Sequence, residues 1–288
     1  MLSAIVAFIL WGVLPLYWKQ LVFLPPTTIV AQRMLWSLLL LLPILWWRGE
    51  GHQLRTALRT PRALAWQLLS GLLLSSNWLL YVWATLNEHI LEGSLGYYLN
   101  PFFNMLFGAI WFGERHSRPQ LAAIALALAG VALQIPAIGR FPWVAISLAL
   151  SFAFYGVVRK RAPLGALAGL TAETALLAPL ALVWLMVNST SPAAAFGSGT
   201  AQVLLVIGTG VVTAVPLLCF GHATRSLRLS TIGILQFIGP SLQFLIGWRF
   251  YHEQMTLVRL LSFGVIWLAI AIYIANAVSA ARKQENLG

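Results

Sequence analysis

Apolar runs of about 20 residues recur along almost the whole chain, and this feature limits the possible folds more than any other. A helix of that length rises about 30 Å, which is the thickness of the hydrocarbon core of a bilayer. Of the 288 residues, 60% are hydrophobic and only 9% are charged, whereas soluble domains carry about 25% charged residues. The alternating pattern of outer-membrane strands is absent from the sequence. The sequence therefore predicts an all-α polytopic membrane protein.

The basic residues predict how the chain crosses the membrane. Ten transmembrane helices are predicted, at residues 2–22, 27–47, 64–86, 91–112, 119–136, 142–158, 164–187, 201–224, 229–250 and 256–278. With a cytoplasmic N-terminus, 13 of the 18 Lys and Arg residues fall on the cytoplasmic side, and the opposite connections hold only Arg140. This positive-inside pattern predicts a multi-pass protein of the cytoplasmic (inner) membrane with both termini in the cytoplasm. It also explains the net charge of +11 without a nucleic-acid partner.

Motifs for catalysis or for cofactors are missing from the sequence. It contains no Asp, a single Cys219, and none of the glycine-rich, P-loop or paired-cysteine signatures that bind nucleotides or metals. An intramembrane enzyme would need a convergent nucleophile, acid/base pair or metal cluster. Cys219, His222 and Glu173 are too scattered to suggest one. We therefore expect no enzyme activity, no cofactor and no metal site.

The chain contains an internal repeat. Several residues of the third, fourth, eighth and ninth predicted helices match at a constant offset of 139 positions. The matching pairs are Gly71 with Gly210, Ala84 with Ala223, Thr85 with Thr224, Pro101 with Pro240, Gly108 with Gly247, and Glu114 with Glu253. Because each half has five helices, the second half would enter the membrane from the opposite side. The sequence predicts two inverted five-helix repeats, at residues 1–137 and 138–288.

These halves resemble the EamA-type drug/metabolite transporters. The signature is the fourth helix, a Gly/Glu turn and a fifth helix rich in small residues, as in WFGERHSRPQLAAIALALAGVALQI (111–135). The segments SFAFYGVVRK (151–160) and VPLLCFGHATRSLRLSTIGILQFIGPSLQFL (215–245) are similar to the RarD branch, whose members are labelled chloramphenicol-sensitivity proteins. The resemblance implies ten helices around a central cavity lined by the first, third, fourth, sixth, eighth and ninth. It also implies outward movement of amino acids and other small metabolites.

Two kinked helices are the candidate binding elements. Tyr97, Asn100, Pro101 and Asn104 follow one another at helical spacing and form one stripe. Pro101 cannot donate a backbone hydrogen bond, so it frees the carbonyl of Tyr97. Such a defect survives at membrane depth only when it is buried in protein or faces a wet cavity. The matching stripe in the ninth helix contains Gln236, Pro240 and Gln243. The alternative for these amides is hydrogen bonding between helices, at about 1 kcal/mol or less.

Aromatic and amide residues of other helices complete the candidate site. Asn77 and Tyr81 lie one turn apart in the third helix, and Trp11 and Tyr155 occupy matching positions in the first and sixth. Their broad rings with a polar edge suit an amphipathic ligand. The predicted substrate-binding residues are Trp11, Asn77, Tyr81, Tyr97, Asn100, Asn104, Tyr155, Gln236 and Gln243. The predicted hinges are Pro15, Pro101 and Pro240.

Two ionisable residues lie inside predicted membrane helices. Arg33 follows Pro26 by seven residues, which is about 10 Å of helix, and Glu173 follows Pro163 by ten, about 15 Å. Intramembrane charges are functional candidates by default. Either residue could couple transport to an ion, or it could hold helices together through a pair.

The predicted function is secondary active export of small amphipathic metabolites by alternating access. Amino acids and related aromatic or drug-like solutes are the expected substrates, and the lipid bilayer is the expected surrounding. A lipid or lipid-linked flippase is the alternative, and an intramembrane enzyme is less favoured. The oligomeric state is left open.

Overall fold

A computed structural model describes residues 1–86, 90–138, 141–251 and 256–285. The backbone in this part of the chain is helical and contains no strand. Its α-helices are α1 (Leu2–Trp18), α2 (Pro26–Trp47), α3 (Gly51–Arg59), α4 (Pro61–Leu86), α5 (Ile90–Phe112), α6 (Arg118–Ala132), α7 (Trp143–Arg161), α8 (Ala166–Asn188), α9 (Pro192–Phe196), α10 (Thr200–Ser226), α11 (Leu229–Gln236), α12 (Ile238–Tyr251) and α13 (Leu257–Glu285). Short 3₁₀ turns follow α1 and α6.

The helices coincide with the predicted spans. Each predicted span contains one long helix, except that the ninth is divided into α11 and α12. Seven helical segments of the described residues are long and apolar enough to cross a membrane, and two shorter apolar helices accompany them. The chain is therefore a multi-pass helical membrane protein. Two short helices in connections, α3 and α9, were not predicted.

Local sequence signals explain several helix ends. Ser117 and Gln120 form a capping box at the start of α6, in which each side chain bonds the backbone N–H of the other. Pro26 occupies the first position of α2, where its missing N–H has no cost. Gly49 adopts a positive φ of 71° directly after α2, a conformation that glycine reaches without strain.

The helix contacts are reciprocal between the two halves. Helix α1 packs against α10 and α12, and α7 packs against α4 and α5, which are the predicted repeat partners of α10 and α12. In the same way α2 packs against α10, and α8 packs against α4. Helices α2 and α8 contact each other, as do α6 and α13.

Glycine permits two of the closest helix contacts. A Cβ at Gly210 of α10 would lie 2.5 Å from the carbonyl carbon of Trp36 in α2. A Cβ at Gly12 of α1 would lie 2.8 Å from the Cβ of Leu242 in α12. Small residues allow membrane helices to approach at backbone distance, and dispersion between the two backbones then holds the pair together.

Candidate functional site

A cavity of about 540 Å³ lies among helices from both halves of the chain. Its wall is formed by α1, α2, α4, α5, α7, α10, α11 and α12, and it reaches the α1–α2 connection at Val22 and Leu24. Aromatic and aliphatic side chains cover most of the wall, with a few amides and one guanidinium among them. A mostly apolar cavity with a few fixed polar groups is the usual form of a small-molecule site.

Most of the predicted binding residues lie together on this wall. The lining residues among them are Trp11, Asn77, Tyr81, Tyr97, Gln236 and Gln243, with the predicted hinges Pro15 and Pro240 beside them. The rings of Tyr81 and Tyr97 contact each other edge to face, with centroids 5.6 Å apart. The hydroxyl-bearing rings of α4 and α5 thus form one aromatic surface. The role of these residues in substrate binding stays a prediction.

Asn100, Asn104 and Tyr155 lie away from the cavity wall. Asn100 donates from Nδ2 to the carbonyl of Ala149 in α7 at 2.8 Å. Asn104 donates to Asn100 Oδ1 at 2.9 Å and to Gln236 Oε1 at 2.7 Å. This amide ladder joins α7, α5 and α11, which is the interhelical alternative that the sequence left open. Only its end at Gln236 reaches the cavity.

Prolines shape the helices at the cavity. Pro240 has no N–H and its ring opposes the carbonyl of Gln236 one turn earlier, and α11 ends at Gln236. Pro15 frees the carbonyl of Trp11 in the same way, and Gln243 Nε2 donates to that carbonyl at 3.2 Å. Helix α5 continues through Pro101, whose carbonyl would lie 2.7 Å from a Cβ at Gly233.

An aromatic cluster adjoins the cavity. Trp11 and Phe152 line the cavity and meet edge to face at 5.7 Å. Behind them Phe220 contacts both rings, and Tyr155 stacks on Phe220 with an interplanar angle of 10° and a centroid distance of 6.0 Å. Tyr155 is completely buried. Two rings of this cluster therefore form part of the cavity wall.

Glu173 lies behind this cluster in a buried ion pair with Arg159. Arg159 Nη1 donates to Glu173 Oε1 at 2.8 Å, and both side chains are 1–2% exposed. Ser70 Oγ donates to the same oxygen at 2.6 Å, and the Tyr155 hydroxyl lies 3.4 Å from Oε2. Arg159 also donates to the carbonyl of Ala166 at 3.0 Å. Of the two alternatives for Glu173, these contacts favour the paired, helix-joining one.

Arg159 is a residue that the sequence reasoning missed. The positive-inside pattern assigned it to a cytoplasmic connection, but it occupies the last turn of α7 and points into the protein. Glycines make room for it: a Cβ at Gly169 would lie 2.2 Å from Nη1, and one at Gly221 would lie 3.0 Å from Nη2. The available signal was the spacing of four residues from Tyr155, which places both side chains on one face of the helix.

A second, water-sized cavity of about 20 Å³ adjoins Glu173. Thr213 and Ser37 contribute hydroxyls to its wall, and Thr213 Oγ1 is buried without a hydrogen-bond partner. A volume above about 15 Å³ with several polar groups can hold one water. Trp78 lines both this small cavity and the large one.

Arg33 lies on the wall of the large cavity. Its guanidinium carbon lies 3.7 Å from the ring centroid of Trp78 and 5.5 Å from that of Trp18. Stacking of this kind stabilises the cation through the face of the ring. No carboxylate or carbonyl of the described residues pairs with Arg33, and its Nε is buried without a partner.

Glu114 and Arg225 form polar contacts between helix ends and connections. Glu114 accepts hydrogen bonds from the backbone N–H groups of Leu229 and Ser230 at 2.7 and 2.9 Å, and from Ser230 Oγ at 2.5 Å. A carboxylate at this place caps the N-terminus of α11 from another helix. Arg225 donates to the carbonyls of Ala162 and Leu164 at 2.8 and 2.7 Å.

His116 stands in the same connection as Glu114. Burial and the neighbouring Arg228 guanidinium lower the pKa of His116. The neutral imidazole is therefore the form that suits the folded protein.

An apolar, multi-pass helix bundle with an aromatic-lined cavity between its halves is the architecture of a membrane transporter. Comparisons with known proteins agree with this class. Residues 1–135 match the EamA-like transporter family. Protein RarD of Salmonella typhimurium is 40% identical over 284 residues, which cover 98% of this chain and 97% of that protein. The chain belongs to the EamA-type, RarD-like transporters.

Other relatives agree with this assignment. An uncharacterized transporter of Pseudomonas aeruginosa is 43% identical over 285 residues, covering 98% of this chain and 95% of its own. A protein of the same organism named chloramphenicol-sensitive protein RarD is 31% identical over 294 residues, covering 100% and 97%. A solved crystal structure has the same fold, with a TM-score of 0.73 over 94% of this chain and 96% of that chain at 21% identity. The chain is a membrane transporter of the drug/metabolite class.

Proposed function

We propose that this protein is a secondary active transporter that exports small amphipathic metabolites across the cytoplasmic membrane. Amino acids and related aromatic or drug-like solutes are the substrate class. The cavity of about 540 Å³ is the observation that carries the proposal. Its indole and phenol rings offer apolar faces with polar edges, and Gln236 and Gln243 add neutral hydrogen-bonding groups. The Asn77 amide also lines the cavity, and its Nδ2 donates to the Leu148 carbonyl and to Ser151 Oγ of α7.

The proposed architecture is ten membrane helices in two inverted repeats, at residues 1–137 and 138–288. The reciprocal helix contacts support it, because α1 meets α10 and α12 as α7 meets α4 and α5. A cavity at the interface of such repeats can be opened to either side by rocking one half against the other.

The basic residues support an orientation with both termini in the cytoplasm. In that orientation the α1–α2 connection lies on the outer side, so the cavity opens outward. The aromatic cluster of Trp11, Phe152 and Phe220 and the capping of α11 by Glu114 then form the inner closure. Export requires this closure to open and the outer end to close.

The break between α11 and α12 supports a moving part. Helix α11 runs from the Glu114 cap to Gln236 at the cavity, and Pro240 interrupts the backbone hydrogen bonding behind it. Movement of α11 would therefore change the cavity wall and the inner closure together, without bending a continuous helix.

Transport into proteoliposomes tests the proposal. The purified protein would be reconstituted, and uptake of radiolabelled amino acids, nucleosides and chloramphenicol would be measured. The blocking variant is Gly239→Leu, because Gly239 lines the cavity and an added Cβ would meet only the carbonyl of Phe8, at 3.6 Å. The matched control is Gly264→Leu in α13, where an added Cβ meets nothing within 4 Å.

We expect saturable uptake of at least one solute by the wild type and by Gly264→Leu. We expect a loss of at least about tenfold in Gly239→Leu, since the added side chain occupies the space of the substrate. Equal uptake by Gly239→Leu and wild type would remove the cavity from the mechanism. Absence of any saturable uptake by the wild type would refute the substrate class.

A further inference from the structure

Arg33, which is partly exposed on the cavity wall, differs from the buried Arg159 in having no acidic partner among the described residues. Arg159 has the Glu173 carboxylate at 2.8 Å and the Ala166 carbonyl at 3.0 Å. Among the described residues, Arg33 contacts the aromatic faces of Trp78 and Trp18, and its Nε is buried without a hydrogen-bond partner. A buried N–H donor of a cation that has no acceptor is costly to maintain. Such a group is expected where a ligand supplies the missing acceptor.

Trp78 lies over a face of the Arg33 guanidinium, whereas a guanidinium forms its hydrogen bonds along its edges. A guanidinium is planar, and its five N–H donors lie in that plane. A ring at 3.7 Å covers one face of the plane and holds its orientation. Arg33 lies on the cavity wall, and an edge of a guanidinium with two parallel N–H groups matches a carboxylate.

The remaining lining supplies a place for an apolar body but no second charge. Trp11, Phe152 and Tyr97 present ring surface to the cavity, and the described lining contains no Asp, Glu, Lys or second Arg. One cation balances one negative charge. A phosphate monoester carries about two at neutral pH, and its excess charge would be left in an apolar cavity. The geometry and the charge thus favour a monoanionic acid.

We propose that Arg33 binds the carboxylate of the transported solute, so that the substrates are amphipathic carboxylic acids. This inference rests on the proposed function and narrows its substrate class. The carboxylate lies against the edge of the Arg33 guanidinium, and the apolar part of the solute lies toward Trp11 and Phe152. When the acid is bound, the negative charge of its carboxylate balances the positive charge of Arg33.

Binding of matched ligands tests this role. The probes are 3-phenylpropionate and 3-phenylpropionamide, which have nearly the same shape and differ by one negative charge. Benzylphosphonate is the probe for a phosphate-like anion. Affinities for the purified protein in detergent would be measured by isothermal titration calorimetry. Variants are Arg33→Gln, Arg33→Lys and, as a matched loss of charge on an exposed side chain, Arg48→Gln.

We expect wild type and Arg48→Gln to bind the acid at least about tenfold more tightly than the amide. Arg33→Gln is expected to bind both within about twofold, through loss of affinity for the acid alone. Arg33→Lys is expected to retain part of the preference, since it keeps the charge but not the planar edge. If Arg33→Gln does not fold, the comparison of acid and amide on wild type and Arg33→Lys still decides.

The inference is overturned if wild type prefers the amide, binds both equally or binds neither. It is also overturned if folded Arg33→Gln keeps the preference for the acid, or if wild type binds the phosphonate more tightly than the acid. Uptake of neutral solutes with no preference for the acid would remove this inference and leave the proposed transporter intact. Loss of all solute uptake would remove both.

Discussion

Replacing Glu173 with Gln separates a structural role of the buried ion pair from a role in proton coupling. The substitution keeps nearly the same shape and removes the negative charge. It leaves the Arg159 guanidinium, which is 1% exposed, beside a neutral amide. The amide oxygen can still accept from Arg159 and Ser70, so hydrogen bonding is partly retained and the lost term is mainly the charge pairing.

The expected cost follows from the burial of both partners. Removing one member of a buried pair typically costs about 3–5 kcal/mol, because the remaining charge is uncompensated. The retained hydrogen bonds favour the lower end, about 3 kcal/mol. For a chain of this size each kcal/mol lowers the melting temperature by about 2–4 °C. We therefore expect Glu173→Gln to melt about 6–12 °C below the wild type.

The assay is thermal unfolding in detergent, followed by transport normalised to folded protein. The control is the double variant Glu173→Leu with Arg159→Met, since replacing both charges by apolar groups of similar size is often neutral or stabilising. We expect the double variant to regain most of the lost stability. Transport by folded Glu173→Gln should keep its dependence on the pH gradient.

A different set of results would refute this reasoning. A melting temperature within about 1 °C of the wild type would mean that the pair does not stabilise the protein. Folded Glu173→Gln that exchanges substrate but no longer accumulates it under a pH gradient would instead make Glu173 the proton carrier. The water-sized cavity beside Glu173 would then be its route to the large cavity.

Further predictions concern the inner closure, the cavity wall and the topology. Glu114→Gln should lower stability by about 1–2 kcal/mol by weakening the cap of α11, as measured by thermal unfolding. Tyr97→Ala should weaken substrate binding about fivefold with little loss of stability, whereas Asn100→Ala should mainly lower stability, by about 1 kcal/mol; equal effects on binding would contradict the geometry. His116 has a lower pKa folded than unfolded, so its contribution is present at neutral pH and is lost as the pH falls; His116→Gln should reduce the fall in melting temperature between about pH 7.5 and pH 5.5. Cysteines placed at Ser191 and Arg59 should be labelled from opposite sides of the membrane, and labelling from one side would refute the topology.

The sequence predicted the helices well because apolar length and proline positions act locally. Each predicted span contains a long helix, and the division of the ninth at Gln236 follows from Pro240. The short helices α3 and α9 were missed because they lie in connections, where no apolar run of membrane length exists. The crossing of the membrane by all ten spans stays a prediction.

The site was predicted less completely because a stripe on a helix does not reveal which neighbour it faces. Tyr97 reaches the cavity, but Asn100 and Asn104, on the same predicted stripe, turn toward α7 and α11. A stripe over two turns covers an arc wide enough to touch both a cavity and a helix. Arg159 was missed for another reason: the positive-inside rule already explained a basic residue at a helix end, although the residue points inward.

In the proposed mechanism, the inner closure opens during each transport cycle, and the Glu114 cap contributes to the cost of opening. Glu114 holds the start of α11 through three hydrogen bonds, from two backbone N–H groups and one hydroxyl. Hydrogen bonds to a charged acceptor are worth about 1.5–3 kcal/mol each, so these three contacts favour the closed state by about 4.5–9 kcal/mol. This is comparable with the binding free energy of a solute whose dissociation constant is millimolar to micromolar, about 4–8 kcal/mol, so ligand binding can offset much of it. In the proposed mechanism, the Glu114 cap and the helix break before Ile238 thus form a closure that the binding energy of a solute can reverse.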